Sequence, residues 1–369
     1  MTAHAQGSPA GIWRGVWAGG LVAAATVIGG IVATDSVGLA LRDPDHVAAL
    51  YLGLVGLGVA LLVVLDVALR ARSRGDGDRL TREAMAQVRR ERWTPARMTA
   101  AGLALVGFYA TYMAYRNLKA IVPLLRPGDS FDAQLADADR AIFAGHDPAA
   151  LLHTLIGTGL ATHVLSAFYV AFIVFLPLTI GLALVFATDL RPALFYVTAQ
   201  SINWVLGIGS YFLLPSLGPI YFEPGAFADL PGSEVTRLQG VLMQQRVDFL
   251  ADPSTGTPQS IAAFASLHIS MSFTAALAAT LLGLGRRLQA TLWVWVAITT
   301  VGTVYLGWHY FVDDIAGVAM GAAALFLARA FTGIGLRAER ERRRERRASH
   351  GPPSWDPGAQ PASASARSH

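Results

Sequence analysis

Eight apolar stretches, each long enough to cross a lipid bilayer as a helix, limit the fold of this chain more than any other feature. A transmembrane helix needs about 20 mostly apolar residues. The stretches lie near residues 14–34, 47–69, 98–118, 161–187, 193–215, 264–284, 289–308 and 312–335. Charged residues make up only 15% of the chain, against about 25% in soluble domains. The sequence therefore predicts an all-α, polytopic membrane bundle of about eight transmembrane helices.

The basic balance of the chain, net +4 with a pI near 9.6, fits a membrane protein better than a nucleic-acid-binding one. Its arginines cluster in loops between apolar stretches and near the C-terminus, where they act as topology signals. We therefore expect a membrane partner and no nucleic acid. The chain has no cysteine, which excludes thiolate metal sites. His146 and His153 lack a third ligand nearby in sequence, so no metal or other cofactor is expected.

Orientation follows from three basic segments on one side of an eight-span arrangement: Arg70–Arg97 with nine arginines, Arg286–Arg287, and Arg337–Arg347 with seven. The opposite side is rich in aspartate and glutamate. By the positive-inside rule both termini are cytoplasmic. The first span lacks a clear small-residue cleavage site and is predicted to be an uncleaved helix. We expect an integral protein of the cell membrane whose remaining loops face outward.

Three segments are predicted. Residues 1–97 hold two N-terminal transmembrane helices and a basic cytoplasmic loop, 98–335 a six-helix catalytic domain, and 336–369 a disordered basic tail. Two outer segments add detail. Residues 129–157 mix acidic and apolar side chains, which predicts one or two short amphipathic helices in the interface. The loop 216–262 is long enough to form a lid, in which Arg237 or Arg246 either contacts an anionic headgroup or has a surface role.

Two histidines and a carboxylate are the candidate catalytic groups. His309 and Asp313 are four residues apart, so on a helix they share one face, and the carboxylate can accept the imidazole N–H. His268 lies near the start of another apolar helix, where unpaired backbone amides favour an anion such as phosphate. A single histidine in an apolar segment is commonly a packing residue. Several ionisable groups at the ends of neighbouring membrane helices instead favour function.

Basic residues at the outer end of the third span need a separate explanation. Lys119 and Arg126 lie on the side that is poor in basic residues. Together they supply a point charge and a bidentate fork for the oxygens of one phosphate. The alternative is snorkelling of each side chain to the interface.

The order of these motifs resembles a known enzyme superfamily. Lys119 with six residues before Arg126-Pro127, then Ser266-Leu267-His268, then His309-Tyr310-Phe311-Val312-Asp313 is similar to the three-part signature of the type-2 phosphatidic acid phosphatase superfamily. The amino-acid sequence of the last two parts resembles that of the branch containing the fungal inositol phosphorylceramide synthases. The similarity covers residues 119–321.

That resemblance implies a role for each matching residue. His309 would be the nucleophile that forms a phosphohistidine, Asp313 would orient it, and His268 would protonate the leaving oxygen and then serve as base for the acceptor. Ser266, Lys119 and Arg126 would hold the phosphate oxygens. The pattern departs from the superfamily in two places. Pro-Ser-Gly-His reads Ala-Ser-Leu-His, and the frequent Ser-Arg pair before the last histidine reads Gly302-Thr303. Asp314 is expected to point to another face.

The function predicted from these residues is a metal-independent membrane phosphotransferase. It would move a phospho-headgroup, phosphoinositol by the resemblance, from a phospholipid donor to a lipid or glycan hydroxyl at the extracytoplasmic face. A covalent histidine intermediate divides the transfer into two displacements and needs no metal. Two alternatives are a phosphatase acting on a lipid phosphate or polyprenyl diphosphate, and a non-enzymatic transporter or scaffold. The oligomeric state does not follow from the sequence.

Overall fold

The fold is known from a computed structural model that describes residues 9–43, 46–74, 80–254 and 257–349. Within these ranges the chain is helical, with no β-strand. The helices are α1 (Pro9–Asp35), α2 (Val47–Arg72), α3 (Arg82–Arg92), α4 (Pro95–Ala120), α5 (Val122–Leu125), α6 (Asp132–Ile142), α7 (Pro148–Ile156), α8 (Leu160–Phe186), α9 (Leu190–Leu213), α10 (Pro219–Phe222), α11 (Glu234–Ala251), α12 (Leu267–Leu281), α13 (Arg286–Tyr305), α14 (Phe311–Thr332) and α15 (Leu336–Ser349), with a 3-10 turn at Pro224–Phe227.

The predicted polytopic helical bundle is confirmed, and each predicted span coincides with a helix. Among the described residues, five helices are long and apolar enough to cross a membrane: α1, α2, α8, α13 and α14. α12 is apolar but has only 15 residues. α4 and α9 are long enough, at 26 and 24 residues, but carry polar side chains. Many of those side chains, among them Thr111, Asn117, Gln200 and Asn203, are buried inside the bundle.

α9 is the central helix, in contact with α1, α4, α8, α12 and α14. Its polar residues form a buried network. The Gln200 side-chain amide donates to the Tyr196 hydroxyl (2.9 Å) and the Met271 carbonyl (3.1 Å), while the Asn203 amide donates to Thr274 Oγ1 (2.9 Å). Such hydrogen bonds hold helices together where the surroundings supply no water. They fix α12 against α9.

Two glycines let α14 approach α12 closely. A Cβ added at Gly317 would lie 2.6 Å from the Ser266 carbonyl oxygen, and one at Gly321 would lie 2.7 Å from the Ser270 carbonyl oxygen. Neither site has room for a side chain, because the obstructing atoms belong to backbone. The starts of α12 and α14 are thereby brought side by side at one end of the bundle.

The other end of the bundle is rich in arginine. Asp66, which is buried, accepts hydrogen bonds from Arg70 (2.7 Å) and Arg92 (2.6 Å). Arg92 and Arg97 also donate to carbonyls at the C-terminus of α8, such as that of Ala187. Cations at a helix C-terminus interact favourably with its dipole. The described part of the predicted basic loop thus contains α3 and is hydrogen-bonded to the end of α8.

Both terminal segments contain a helix in the described residues. α1 packs along α4, α9 and α14, so the first predicted segment contributes a helix to the bundle. Residues 336–349, predicted to be disordered, instead form α15, since arginine and glutamate are good helix formers. The predictions for residues 1–8 and 350–369 lie outside the described residues.

The close packing of α12 and α14 gives a stability prediction. Gly317→Ala forces a methyl group against the Ser266 carbonyl, and overpacking of this kind costs about 1–3 kcal/mol. We expect a lower midpoint when the detergent-solubilised protein is unfolded with increasing denaturant. Gly102→Ala in α4 is the matched control, because a Cβ there has no atom within 4 Å. Equal midpoints for the two variants would contradict the packing argument.

Candidate active site

His309 lies in a short connection between α13 and α14, not on a helix. The predicted sharing of one helical face by His309 and Asp313 is therefore wrong, because α14 begins at Phe311. Gly307, with a φ of +72°, takes a left-handed conformation that ends α13. The chain then turns back so that His309, only 5% exposed, enters the bundle just before α14 starts.

Two aspartates of α6 hold this connection in place. Asp139 accepts hydrogen bonds from the backbone amides of Phe311 (2.7 Å) and Val312 (2.9 Å), the first two residues of α14. Asp132 accepts one from the Tyr310 hydroxyl (3.1 Å). Both carboxylates are buried. The sequence placed them only in an interfacial helix, although their spacing of seven residues, two helical turns, predicts a shared face.

The loop after α9 closes over the same connection. Asp132 also accepts hydrogen bonds from the backbone amide of Gly218 (2.9 Å), and the amide of Ile220 donates to the Gly307 carbonyl (2.9 Å). In α11, the Gln239 side chain donates to the Leu306 carbonyl (2.8 Å). The loop predicted to be a lid is therefore bonded to the segment that carries His309.

His268 lies opposite His309, on the second residue of α12. The centroids of the two imidazole rings are 5.8 Å apart. Tyr169 stacks on the His268 ring at 4.6 Å, and Phe172 lies against it at 4.5 Å. Both aromatic residues belong to α8. Residues of α8, of α12 and of the connection between α13 and α14 therefore meet at the pair of histidines.

Asp313 lies next to His309 but does not form a well-aligned hydrogen bond with it. Asp313 Oδ2 is 3.4 Å from His309 Nδ1, while the same oxygen accepts a hydrogen bond from the Tyr310 amide at 3.0 Å. Among the described residues, His309 Nδ1 and Asp313 Oδ1 are both buried without a hydrogen-bond partner. Nδ1 faces Asp313, and the ring also has a hydrogen-bonding contact with the backbone of Ala263.

The charge state of His309 follows from its burial. Burial, with a smaller contribution from the positive charge of Lys119, lowers the pKa of His309 from 6.5 to about 3. The ring is therefore neutral at neutral pH. A neutral imidazole has the free electron pair that a nucleophile needs.

Lys119 is the cation nearest to the histidines. Its ammonium group lies over the rings of Tyr211 (4.9 Å) and Tyr115 (5.8 Å), and its charge acts on both histidines. Cation–π contacts stabilise an ammonium in an apolar setting. Lys119 is thus available for a bound anion.

Arg126 and Ser266 have structural partners of their own. The Arg126 guanidinium pairs with Asp129 (2.6 Å) and also donates to the Phe212 carbonyl. The Ser266 hydroxyl, fully buried, accepts a hydrogen bond from the Ile269 amide (3.4 Å) and caps α12. The charge of Lys119 therefore acts on both histidines, whereas Ser266 caps α12 and Arg126 is paired with Asp129. For all three residues phosphate binding stays a prediction.

Asp314 is a buried carboxylate that the sequence pattern left without a role. It accepts a hydrogen bond from Thr303 Oγ1 (2.9 Å) and lies within hydrogen-bonding reach of Ser266. Thr303 therefore points to Asp314. The Thr303 side chain does not supply the positive charge that an arginine at this position would bring.

Of the two loop arginines, Arg246 is the one that faces inward. Arg237 is exposed and pairs with Glu234 (2.8 Å). Arg246 is half-buried; burial lowers its pKa, which the charge of Asp132 partly offsets. His153, considered above as a metal ligand, is hydrogen-bonded to the Tyr305 carbonyl (2.9 Å). In the described part of the chain, no three histidine or acidic side chains form a group suited to a metal ion.

The hydrogen bonds of Asp139 give a second prediction. Asp139→Ala leaves two backbone amides at the start of α14 without their acceptor, at a cost of about 1–3 kcal/mol. We expect a lower melting temperature for the detergent-solubilised protein. Asp137→Ala is the control, because this carboxylate of the same helix is 77% exposed and surface changes are usually within about 0.5 kcal/mol. Equal melting temperatures would refute the role of Asp139.

Comparison with known proteins gives one match. A family model described as the PAP2 superfamily matches residues 133–327, more than half of the 369-residue chain. The match contains both histidines and Asp313 but neither Lys119 nor Arg126. No curated protein and no solved structure matches the chain. The chain belongs to the PAP2 superfamily, whose members act on phosphate esters.

Proposed function

We propose that the protein is a membrane phosphotransferase that moves a phospho-headgroup from a phospholipid donor to the hydroxyl of a second lipid or of a glycan. The facing pair of histidines is the observation that carries this proposal. A neutral, buried His309 and a second histidine 5.8 Å away, measured between ring centroids, provide a nucleophile and a proton carrier on either side of one phosphorus atom. Membership of the PAP2 superfamily supports a lipid phosphatase or phosphotransferase activity.

The first displacement loads the histidine. Nε2 of His309 attacks the phosphorus, forming an N–P bond as the bond to the diacylglycerol oxygen breaks. His268, protonated once the negatively charged phosphate lies beside it, gives its proton to that leaving oxygen. Lys119 balances the negative charge on the phosphate oxygens, and so do the backbone amides of the first turn of α12, since first-turn amides have no acceptor within the helix.

The second displacement transfers the phospho-headgroup from His309 to the acceptor. The acceptor hydroxyl gives its proton to His268, its oxygen attacks the phosphorus, and the N–P bond breaks. His309 returns as a neutral ring and His268 as the protonated one. Asp313, 3.4 Å from Nδ1, stabilises the positive charge that develops on His309 in each attack.

The loop that begins after α9 favours transfer over hydrolysis. It is bonded to the connection carrying His309 through Asp132, Ile220 and Gln239, so it covers the site instead of extending into solvent. A phosphohistidine that must wait for an alcohol has to be protected from water. Arg246, half-buried in the same loop, is suited to contact an anionic headgroup.

The residues of the last two motifs, Ser266-Leu267-His268 and His309-Tyr310-Phe311-Val312-Asp313, favour phosphoinositol as the transferred group and phosphatidylinositol as the donor. We place the site on the extracytoplasmic side of the cell membrane, with both termini in the cytoplasm. The arginines at the opposite end of the bundle, including Arg70, Arg92 and Arg97, support this orientation.

Substitution of the catalytic pair tests the mechanism. We expect His309→Ala to abolish turnover and any acid-labile phosphoprotein, because no other group can take its place as nucleophile. Asp313→Asn should remain folded and turn over roughly 10²–10⁴ times more slowly. His163→Ala, an exposed histidine of α8, is the control and should keep wild-type rates. Wild-type rates in His309→Ala would exclude the proposed nucleophile.

The fate of the phosphate distinguishes transfer from hydrolysis. Purified protein in detergent is given phosphatidylinositol with a labelled headgroup, with or without a lipid alcohol such as ceramide or diacylglycerol. We expect slow release of inositol phosphate without acceptor and nearly complete conversion to a new phosphodiester with it. The phosphatase alternative would be established if the protein cleaved phosphatidate or polyprenyl diphosphate rapidly and did not react with phosphatidylinositol, whichever alcohol was supplied.

A further inference from the structure

A small groove enters the flank of the bundle between α4 and α8. It has a volume of about 170 Å³, and its walls are almost entirely apolar. α4 supplies Tyr112, α8 supplies Phe172, α9 supplies Trp204, and α2 covers the groove with Tyr51 and Val55. α4 and α8 make little direct contact with each other, whereas α2 packs against both. The groove is therefore a gap between two helices that a third helix roofs.

The inner wall of the groove leads to the histidines. The ring of Phe172 lines the groove and also lies 4.5 Å from the ring of His268. A molecule that lies along Phe172 therefore has one end beside the residue that exchanges a proton with the leaving group.

The opposite wall leads to the cation. Trp204 contacts Tyr115 at 4.4 Å between ring centroids, and the ammonium group of Lys119 lies over Tyr115 at 5.8 Å. The groove thus runs inward between a proton carrier on one side and a cation for phosphate on the other.

We propose that this groove binds the part of a hydrocarbon chain nearest the headgroup of the lipid substrate, so that α2 and α4 select the lipid. The inference rests on the proposed function. The apolar, aromatic lining of the groove excludes a polar occupant. Its volume is below the roughly 300–1,000 Å³ of pockets that enclose a whole small molecule, so it accepts a segment of one chain. The rest of the chain stays in the bilayer, beside exposed side chains such as Leu54 and Ile173.

The extent of the family match supports a role in lipid selection for residues that lie outside the part of the chain matched by the family model. The match begins at residue 133, so the α2 and α4 walls of the groove, including Tyr51, Val55 and Tyr112, lie before it. Phe172 and Trp204 lie within it. The groove is formed where the N-terminal helices of this chain meet the helices of the PAP2 match, which gives α2 a function beyond spanning the membrane.

A second groove in the bundle provides the matched control. It has a volume of about 800 Å³ and is lined by α1, α9, α14 and Leu118 of α4, with Ala25 and Val205 among its residues. Although it is larger and equally apolar, its lining includes none of the residues that contact the two histidine rings. Filling it should leave the chemistry unchanged.

The test is to fill each groove with an indole ring. Val55→Trp in the first groove is compared with Ala25→Trp in the second, using dioleoyl phosphatidylinositol and the chain-free donor glycerophosphoinositol. We expect Val55→Trp to reduce kcat/KM for the diacyl donor about tenfold, the loss of roughly two buried methylene groups, and to leave the chain-free donor within about twofold. Ala25→Trp should leave both donors unchanged.

Loss of both donors in Val55→Trp, or equal effects of the two variants, would overturn the groove assignment. Labelling by a phosphatidylinositol with a diazirine near the top of one chain provides a readout that needs no turnover. The label should enter peptides containing Tyr51 or Phe172 and be displaced in Val55→Trp; labelling of the second groove instead would refute the proposal. If wild-type protein turns over no lipid phosphoester, the proposed function fails, and the labelling result still decides whether the groove binds a chain.

Discussion

Backbone that leaves the helix inside a membrane protein must find hydrogen-bond partners within the protein, because hydrocarbon offers none. The connection from Leu306 to Tyr310 is such a segment, and many residues at this end of the molecule supply its hydrogen-bond partners. Gln239 bonds the Leu306 carbonyl, Ile220 bonds that of Gly307, and Asp139 receives the first amides of α14. His309 can be placed away from any helix only because this backbone is satisfied.

The same hydrogen bonds join the site to its cover. Asp132 receives the amide of Gly218 and the hydroxyl of Tyr310, so one buried carboxylate connects the loop after α9 with the segment that holds His309. A Cβ at Gly218 would lie 2.5 Å from the Trp308 carbonyl oxygen, and its φ is +101°. Both facts require glycine there. A movement of this loop would therefore reach the segment that holds His309.

The interior below the site combines close packing with polar contacts. Gly317 and Gly321 bring α14 against α12, while Gln200 and Asn203 tie α9 to α12. These contacts bring the ends of three helices to one place, so His268 and His309 can face each other. The N-terminal helices pack on the outside of this core, where α2 roofs the groove beside Phe172.

The sequence alone determined the helical bundle and the positions of its spans, and it identified His268, His309 and Asp313 as candidate site residues. Those properties follow from apolar length and local motifs, which are written in neighbouring residues. It misplaced His309 on a helix, because four-residue spacing cannot show that Gly307 ends α13 and that α14 starts only at Phe311. It also assigned no role to Asp132, Asp139 or Asp314. Asp139 and Phe311 are 172 residues apart, and Arg126 meets the Phe212 carbonyl across 86 residues. Only the tertiary structure decided these pairings, since they depend on how helices distant in sequence pack together, and no local period records that.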